Sequence, residues 1–267
     1  MPPNATPAVP DRSATLSSGN AMPLLGFGTW QLRGEEAVRA TAAALEFGYR
    51  HVDTATVYRN EREVGAGIGA SGVARDQVFV TTKVLPSAGP PLDRLRESLE
   101  QLDTGHVDLW LIHAPPDDGV GVDMWRALAS AQQEGLARDI GVSNFSLAQI
   151  DQLAEQTGVL PAVNQIEWSP LLFAETTVQG HRERGVVLEG YSALKGGVLK
   201  HPVVVEVAER IGRTPAQVVI RWHVEHGVVV IPKSRDRARI AANADVGDFS
   251  LSAHDVAALD ALGSAHT

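Results

Sequence analysis

No cysteine occurs among the 267 residues, which excludes disulfides, thiolate zinc sites and a cysteine nucleophile. Long apolar runs are missing as well. Stretches such as Val203–Val205 and Val228–Ile231 are far too short to cross a bilayer, so no membrane partner is expected. Cations are in deficit: 23 Lys and Arg stand against 32 Asp and Glu, a formal charge of −9. Sequence-independent nucleic-acid binding rests on neutralising many phosphates, so nucleic acid is not an expected partner either. The opening MPPNATPAVPDR has no cationic segment followed by an apolar one. A secretory leader is therefore not expected, and a cytoplasmic location is the default. Its prolines argue for a flexible arm over residues 1–12. The chain as a whole, 44% hydrophobic and 21% charged, has the composition of a folded globular protein rather than a disordered or collagenous one.

After the arm one rhythm runs to the end. A short β-rich run is followed by a helical stretch, often a glycine, and the next β-rich run. The runs are Leu24–Thr29, Tyr49–Ala55, Gln77–Val84, His106–His113, Ala137–Asn144, Ala162–Trp168, Val186–Leu194 and Val228–Ser234. Their starts are mostly about 24 to 31 residues apart, the length of a strand, a helix and two short loops. Gly48, Gly135, Gly185 and Gly227 fall where left-handed helix ends are expected. Ser146 and Thr214–Pro215 read as helix starts. Thr15–Pro23, with Gly19–Asn20 at its middle, reads as a small hairpin. The spacing predicts one α/β domain over residues 13–267, a (β/α)8 TIM barrel with a short N-terminal hairpin. An open doubly wound sheet is the alternative, but it usually carries a glycine-rich turn after its first strand. The nearest match, Gly65-Ala-Gly67-Ile-Gly69, lies late in a helical stretch, where its glycines are expected to end the helix.

In such a barrel the chemistry lies at the C-terminal ends of the strands. Those ends present Asp53 with Tyr58, Lys83, His113, Ser143–Asn144, Gln165, Tyr191–Ser192 and Lys233–Ser234. Asp53 and Lys83 each sit in an apolar strand, where a charge is costly unless paired, and an Asp–Lys pair satisfies both. Each alone is an ordinary buried polar group; four titratable groups at corresponding ends of three consecutive strands read as one site. An ammonium beside a phenol favours the phenolate, so Lys83 is expected to lower Tyr58 and make it a proton donor near neutral pH. Asp53 would hold Lys83, and His113 would orient the reacting oxygen. This set suits carbonyl reduction, and since no side chain delivers hydride, a nicotinamide cofactor is implied.

The segments G-F-G-T-W (Gly26–Trp30), D-T-A-T-V-Y-R-N-E (Asp53–Glu61), T-T-K (Thr81–Lys83), L-I-H (Leu111–His113), I-G-V-S-N-F (Ile140–Phe145), N-Q-I-E (Asn164–Glu167) and I-P-K-S (Ile231–Ser234) together resemble the aldo-keto reductases. The bacterial branch containing the 2,5-diketo-gluconate reductases is the most similar. The resemblance implies a catalytic set of Asp53, Tyr58, Lys83 and His113. It implies that Ser143, Asn144 and Gln165 hold the nicotinamide amide, that Tyr191 stacks on its ring, and that Ser192, Leu194 and Gly197 belong to a loop over the pyrophosphate. Thr29 and Asp53 are implied at the cofactor as well. Phe27, Trp30, His113 and Ala114 are implied in the substrate pocket.

The segment Ile231–Asn243 carries Lys233, Arg235, Arg237 and Arg239 against the single Asp236. Cations at a helix start are unfavourable unless an anion is bound there. By the resemblance, Lys233, Ser234 and Arg239 grip the 2′-phosphate of NADPH and Asn243 meets the adenine, so NADPH/NADP is the expected cofactor. Ala114 and Leu85 stand where relatives often have tryptophan, which predicts a wide pocket with little aromatic wall. Trp168 and Trp110 read either as replacements or as core, with core the stronger reading for mid-strand Trp110. The sequence ends at Thr267 without the aromatic tail of many relatives, which adds to that openness. The expected partner is a small carbonyl substrate, and the expected state a monomer or weak dimer. Two readings compete: a non-catalytic NADPH-binding sensor of the same fold, and a metal-dependent barrel hydrolase built around His51 and Asp53.

Overall fold

All eight β-rich runs become strands of one parallel sheet in the computed structural model, which describes residues 7–117 and 119–264. A two-stranded antiparallel hairpin, β1 (Ser13–Thr15) and β2 (Ala21–Pro23), precedes it. The sheet strands are β3 (Phe27–Gly28), β4 (His51–Asp53), β5 (Phe79–Val84), β6 (Val107–Ile112), β7 (Ala137–Ser143), β8 (Val163–Glu167), β9 (Val187–Tyr191) and β10 (Val229–Val230). They pair in chain order. A parallel bridge from Leu25 to Val230 joins the two ends, with Gly26 N donating to Val230 O at 2.9 Å and Val230 N to Leu24 O at 2.8 Å. The sheet is therefore a closed barrel, as the spacing predicts.

The helices are α1 (Gly34–Glu46), α2 (Glu61–Ala70), α3 (Pro91–Leu102), α4 (Val122–Gln133), α5 (Leu147–Thr157), α6 (Glu175–Glu183), α7 (Pro202–Ile211), α8 (Pro215–Glu225), α9 (Arg237–Ala244) and α10 (Ala253–Ser264). Both α7 and α8 follow β9, which explains the long gap between the last two strand runs. Ser146 and Thr214 form capping boxes with Gln149 and Gln217. Gly48, Gly135, Gly185 and Gly227 all adopt positive φ. Among the described residues, no helix is long and apolar enough to cross a membrane.

Two local expectations change. Gly65 and Gly67 lie inside α2, not at its end. A Cβ on Gly67 would stand 2.7 Å from Thr41 Cβ and Val38 O, so the glycines let α2 press against α1 and α3. The loose arm is the second. Residues 1–6 lie outside the described residues, whereas Pro7–Pro10 are held against the end of α9. Ala8 N donates to Asp245 Oδ1 at 2.9 Å, and Ala8 O accepts from Val246 N at 3.0 Å.

Apolar side chains fill the layer between sheet and helices. The hairpin plugs the N-terminal mouth, packing Leu16, Met22 and Leu24 on Phe79, Leu109, Val163 and Val229. The barrel interior above that plug is polar instead. His51, Asp53, Thr81, Lys83, Gln165 and Glu189 are all buried there.

Candidate active site

The site begins where β4 ends. After Asp53 the chain makes a 3-10 turn, Thr56–Tyr58, pinned to the next strand by Thr56 Oγ1 donating to Lys83 O at 3.0 Å. Arg59 follows with a left-handed φ of 53°. Asn60 then ties the segment to the preceding loop, its amide donating to Thr29 O at 2.9 Å and Leu32 O at 3.1 Å. The spacing from Asp53 to Asn60 thus builds a knot that aims Tyr58 at the barrel mouth. Asn60 was quoted for the resemblance, yet only the fold reveals its three anchoring bonds, the third accepted from Thr54 Oγ1.

Lys83, fully buried on β5, donates to Asp53 Oδ1 at 2.6 Å, to Thr54 O at 2.9 Å and to Tyr58 OH at 3.4 Å. The second Asp53 oxygen accepts from Gln165 Nε2 at 2.8 Å. His113 stands edge-on to Tyr58, with ring centroids 5.8 Å apart. The four titratable groups expected to meet do meet.

Their electrostatics are only partly as expected. Burial disfavours the Lys83 ammonium, but Asp53 and Tyr58 beside it overcome that and hold its pKa above the usual range. Burial raises the Tyr58 phenol; Lys83 pulls it down, Asp53 pushes it up, and the balance lies above an ordinary tyrosine. The expectation of a net lowering is therefore corrected: the ammonium offsets burial without overturning it. Burial, then Lys83, lowers His113 to about 4, so its imidazole is neutral at pH 7. Its Nδ1 is buried and has no hydrogen-bond partner among the described residues.

These groups open into a cavity of about 880 Å³ across the C-terminal end of the barrel. Its walls include Trp30, Asp53, Tyr58, His113, Ser143, Asn144, Gln165, Tyr191, Ser192, Leu194, Lys233, Ser234, Arg239 and Asn243, all predicted site residues. Several of these are already ordered by one another. Tyr191 OH donates to Asn144 Oδ1 at 2.8 Å, Asn144 Nδ2 to His113 O at 3.2 Å, and Ser143 Oγ to Gln165 O at 2.8 Å. Asn144 and Ser192, both lining the cavity, take left-handed φ of 63° and 57°.

At the far end of the cavity, Arg237 pairs with Glu46 at 2.6 Å and Arg235 reaches Glu36 at 3.8 Å. Lys233 and Arg239 have no carboxylate partner among the described residues. Burial, then Lys195 and Arg235, lowers Lys233 from its usual value, the mark of crowded positive charge. The start of α9 is capped by Asp236, whose Oδ1 accepts from Arg239 N at 2.9 Å. The cap satisfies the helix end, so the crowding concerns the side chains, not the helix dipole.

Other expected residues fall elsewhere. Phe27 is buried in the layer under α1, edge-on to Tyr49 at 5.9 Å. Strand alternation explains this: Gly26 and Gly28 face inward, toward His51 and Ile231, so Phe27 between them faces outward. Thr29 is buried behind the wall, donating to Asp53 O at 2.9 Å. Lys83 lies beneath Asp53, and neither Ala114 nor Gly197 is among the described wall residues. Trp168 replaces no missing aromatic, because it stacks on Trp222 in the core at 4.4 Å. The cavity also takes in residues that the sequence reading passed over: Val57, Lys195, Leu199, Thr214–Ala216 and Ile231–Pro232. Lys195 Nζ lies 3.9 Å from the centre of the Trp30 ring, bridging two loops across the mouth. Thr214 carried a signal as a helix start, but only the fold turns that start toward the cavity. Among the described residues, no three His, Asp or Glu side chains are grouped as a metal site.

A family model described as the aldo/keto reductase family matches residues 24–264. The methylglyoxal reductase DkgA of Salmonella typhimurium is 43% identical over 241 residues, 88% of either chain. Among solved structures, an aldo/keto reductase from Brucella melitensis superposes with a TM-score of 0.90 at 41% identity, covering 95% of this chain and 99% of that one. An aldo-keto reductase from Bombyx mori, solved in complex with NADP, gives 0.87 at 33% identity, covering 96% and 94%.

Proposed function

Because the chain belongs to the aldo/keto reductase family, we propose that it is an NADPH-dependent reductase of aldehydes and ketones, with Tyr58 as the general acid. The observation that carries this reading is the Lys83 ammonium, fully buried and held by Asp53 and Tyr58, which themselves line a large open cavity. A binding module has no use for a buried charge in contact with a phenol at the cavity surface. That weighs against the non-catalytic sensor.

The cavity suits a dinucleotide at both ends. Lys233 and Arg239 are cations without carboxylate partners among the described residues, and Ser234 beside them adds a hydroxyl; they would hold the 2′-phosphate, with Asn243 at the adenine. Ser143, Asn144 and Gln165 would hold the carboxamide. Tyr191, fixed through its hydroxyl by Asn144, would offer its ring as a stacking face. Bound there, NADPH supplies the hydride that reduces the carbonyl carbon.

The protein's own groups handle the proton. Tyr58 keeps its proton at neutral pH because burial holds its pKa high, and it would pass that proton to the substrate oxygen as charge develops there. The phenolate left behind is stabilised by Lys83, which Asp53 and Thr54 O hold in place. Neutral His113 would donate a hydrogen bond to the same oxygen and fix its approach. The substrate is a small carbonyl compound, and the Salmonella relative's name makes methylglyoxal the first to try.

The test is NADPH oxidation by the purified protein over a panel of methylglyoxal, sugar-derived diketones, keto esters and aromatic aldehydes. Tyr58→Phe is expected to lower kcat by about 10²–10⁴-fold while cofactor binding, read by fluorescence, is retained. No turnover with any carbonyl, alongside tight NADPH binding, would return the sensor reading.

A further inference from the structure

Beneath the Lys83 cluster lies a carboxyl group that the proposed mechanism does not use. Glu189 on β9 is fully buried in the barrel interior, and neither of its oxygens has a hydrogen-bond partner within 3.5 Å among the described residues; the Gln165 amide nearby favours its ionised form, but less than burial opposes it. It is register partner to Gln165 of β8, the residue whose amide holds Asp53. Across the interior its Oε1 stands 3.8 Å from Nε2 of His51 on β4. That imidazole offers no positive charge: burial, then Lys83, lowers it to about 3, and its Nε2 already meets Thr81 Oγ1 at 3.1 Å.

The other groups around Glu189 do not supply a counter-charge either. Asp53 on β4 carries the same sign. Lys83 on β5 is engaged by Asp53, Thr54 and Tyr58. Gln165 on β8 is polar but not titratable. The strands flanking the seam offer Gly28 from β3, with Gly26 just before it, and Val229 from β10. Asp139 of β7 is bound by Asn20 of the hairpin, at the far mouth. An ionised carboxylate placed here would be desolvated and unpaired, which costs several kcal/mol, so the group keeps its proton. Burial first, and Asp53 second, raise it to about 8.

Its charge bears on the reaction. With Glu189 neutral, the Asp53 and Lys83 charges cancel, and proton release by Tyr58 leaves one negative charge in the cluster. With Glu189 ionised, the same release leaves two. Glu189 is among the groups that raise Tyr58. Resting on the reductase reading above, we propose that Glu189 is a positioning residue for carbonyl reduction: protonated, it lets Tyr58 release its proton, and ionised, it holds that proton back. Reduction then weakens on the alkaline side as Glu189 ionises, before Tyr58 itself loses its proton.

The experiment measures kcat with saturating NADPH and methylglyoxal from about pH 6 to about pH 10, for the wild type, Glu189→Gln and Glu189→Leu. The wild type is expected to lose activity several-fold across the Glu189 ionisation, and both variants to carry that limb to higher pH. An alkaline limb unchanged in both variants overturns the proposal. Thermal midpoints give a second readout that needs no turnover. A carboxyl with a raised pKa binds its proton more tightly folded than unfolded, so its contribution to stability declines as pH rises from the unfolded value, about 4.3, toward the folded one. Glu189→Gln lacks this decline, so its midpoint should gain on the wild type steadily over that range. A difference that stays flat overturns the protonated Glu189, with or without activity. No turnover by any of the three proteins with any carbonyl of the panel above overturns the reductase reading itself.

Discussion

Arg239 and Tyr58 show what single side chains contribute and how far the sequence discloses it. The basic run Lys233–Arg239 is visible as composition, but its division of labour is not. Arg235 and Arg237 turn to Glu36 and Glu46, leaving Lys233 and Arg239 over the cavity. A hydrogen bond to a charged group is worth about 1.5–3 kcal/mol. Arg239→Ala should therefore weaken NADPH binding about 10- to 100-fold and NADH binding far less, as measured by fluorescence titration of both cofactors. Equal weakening of the two would remove the phosphate from this residue. Tyr58, Lys83, Asp53 and His113 were legible because a charge in an apolar strand requires a partner. The sign of the Tyr58 shift was not, since it depends on how deeply the phenol is buried. Phe27 misled for the opposite reason: its neighbours in the motif face the interior, and alternation sends it the other way.

At the level of elements, α2 carries glycines whose roles differ although their spacing is regular. Gly67 faces α1 with no room for a side chain, while a Cβ on Gly69 would meet nothing within 4 Å. Alanine gains about 1 kcal/mol over glycine in a helix interior, whereas overpacking costs about 1–3 kcal/mol. Gly69→Ala should raise stability by up to about 1 kcal/mol and Gly67→Ala should lower it by up to about 2 kcal/mol, both read from urea denaturation. If both changes were stabilising, the close approach of α1 and α2 would not be real. Helix starts and stops were the most legible features of this chain, because capping boxes at Ser146 and Thr214 and left-handed glycines act through local backbone chemistry. Contacts between helices are not local, and so the glycines of α2 were first read as a helix end.

Taken whole, the barrel was readable from spacing alone, since eight similar units without a break leave few ways to close a parallel sheet. Where the extra helix after β9 would lie, and that Thr214–Ala216 would form part of the cavity wall, required the closed ring. Pro7–Pro10, docked on the end of α9, likewise show that a proline-rich beginning can be ordered by what it lies against. The same closed ring distributes the tryptophans unevenly. Trp110, Trp125, Trp168 and Trp222 are sealed within the protein, and Trp30 alone, 42% exposed, stands at the cavity mouth beneath the Lys195 ammonium. The protein thus contains its own optical probe. Iodide, an anionic collisional quencher, should reach one indole in five, and saturating NADP⁺ should shield it. Trp30→Phe should leave emission nearly blind to iodide with or without the cofactor; strong residual quenching would mean that another indole is reached.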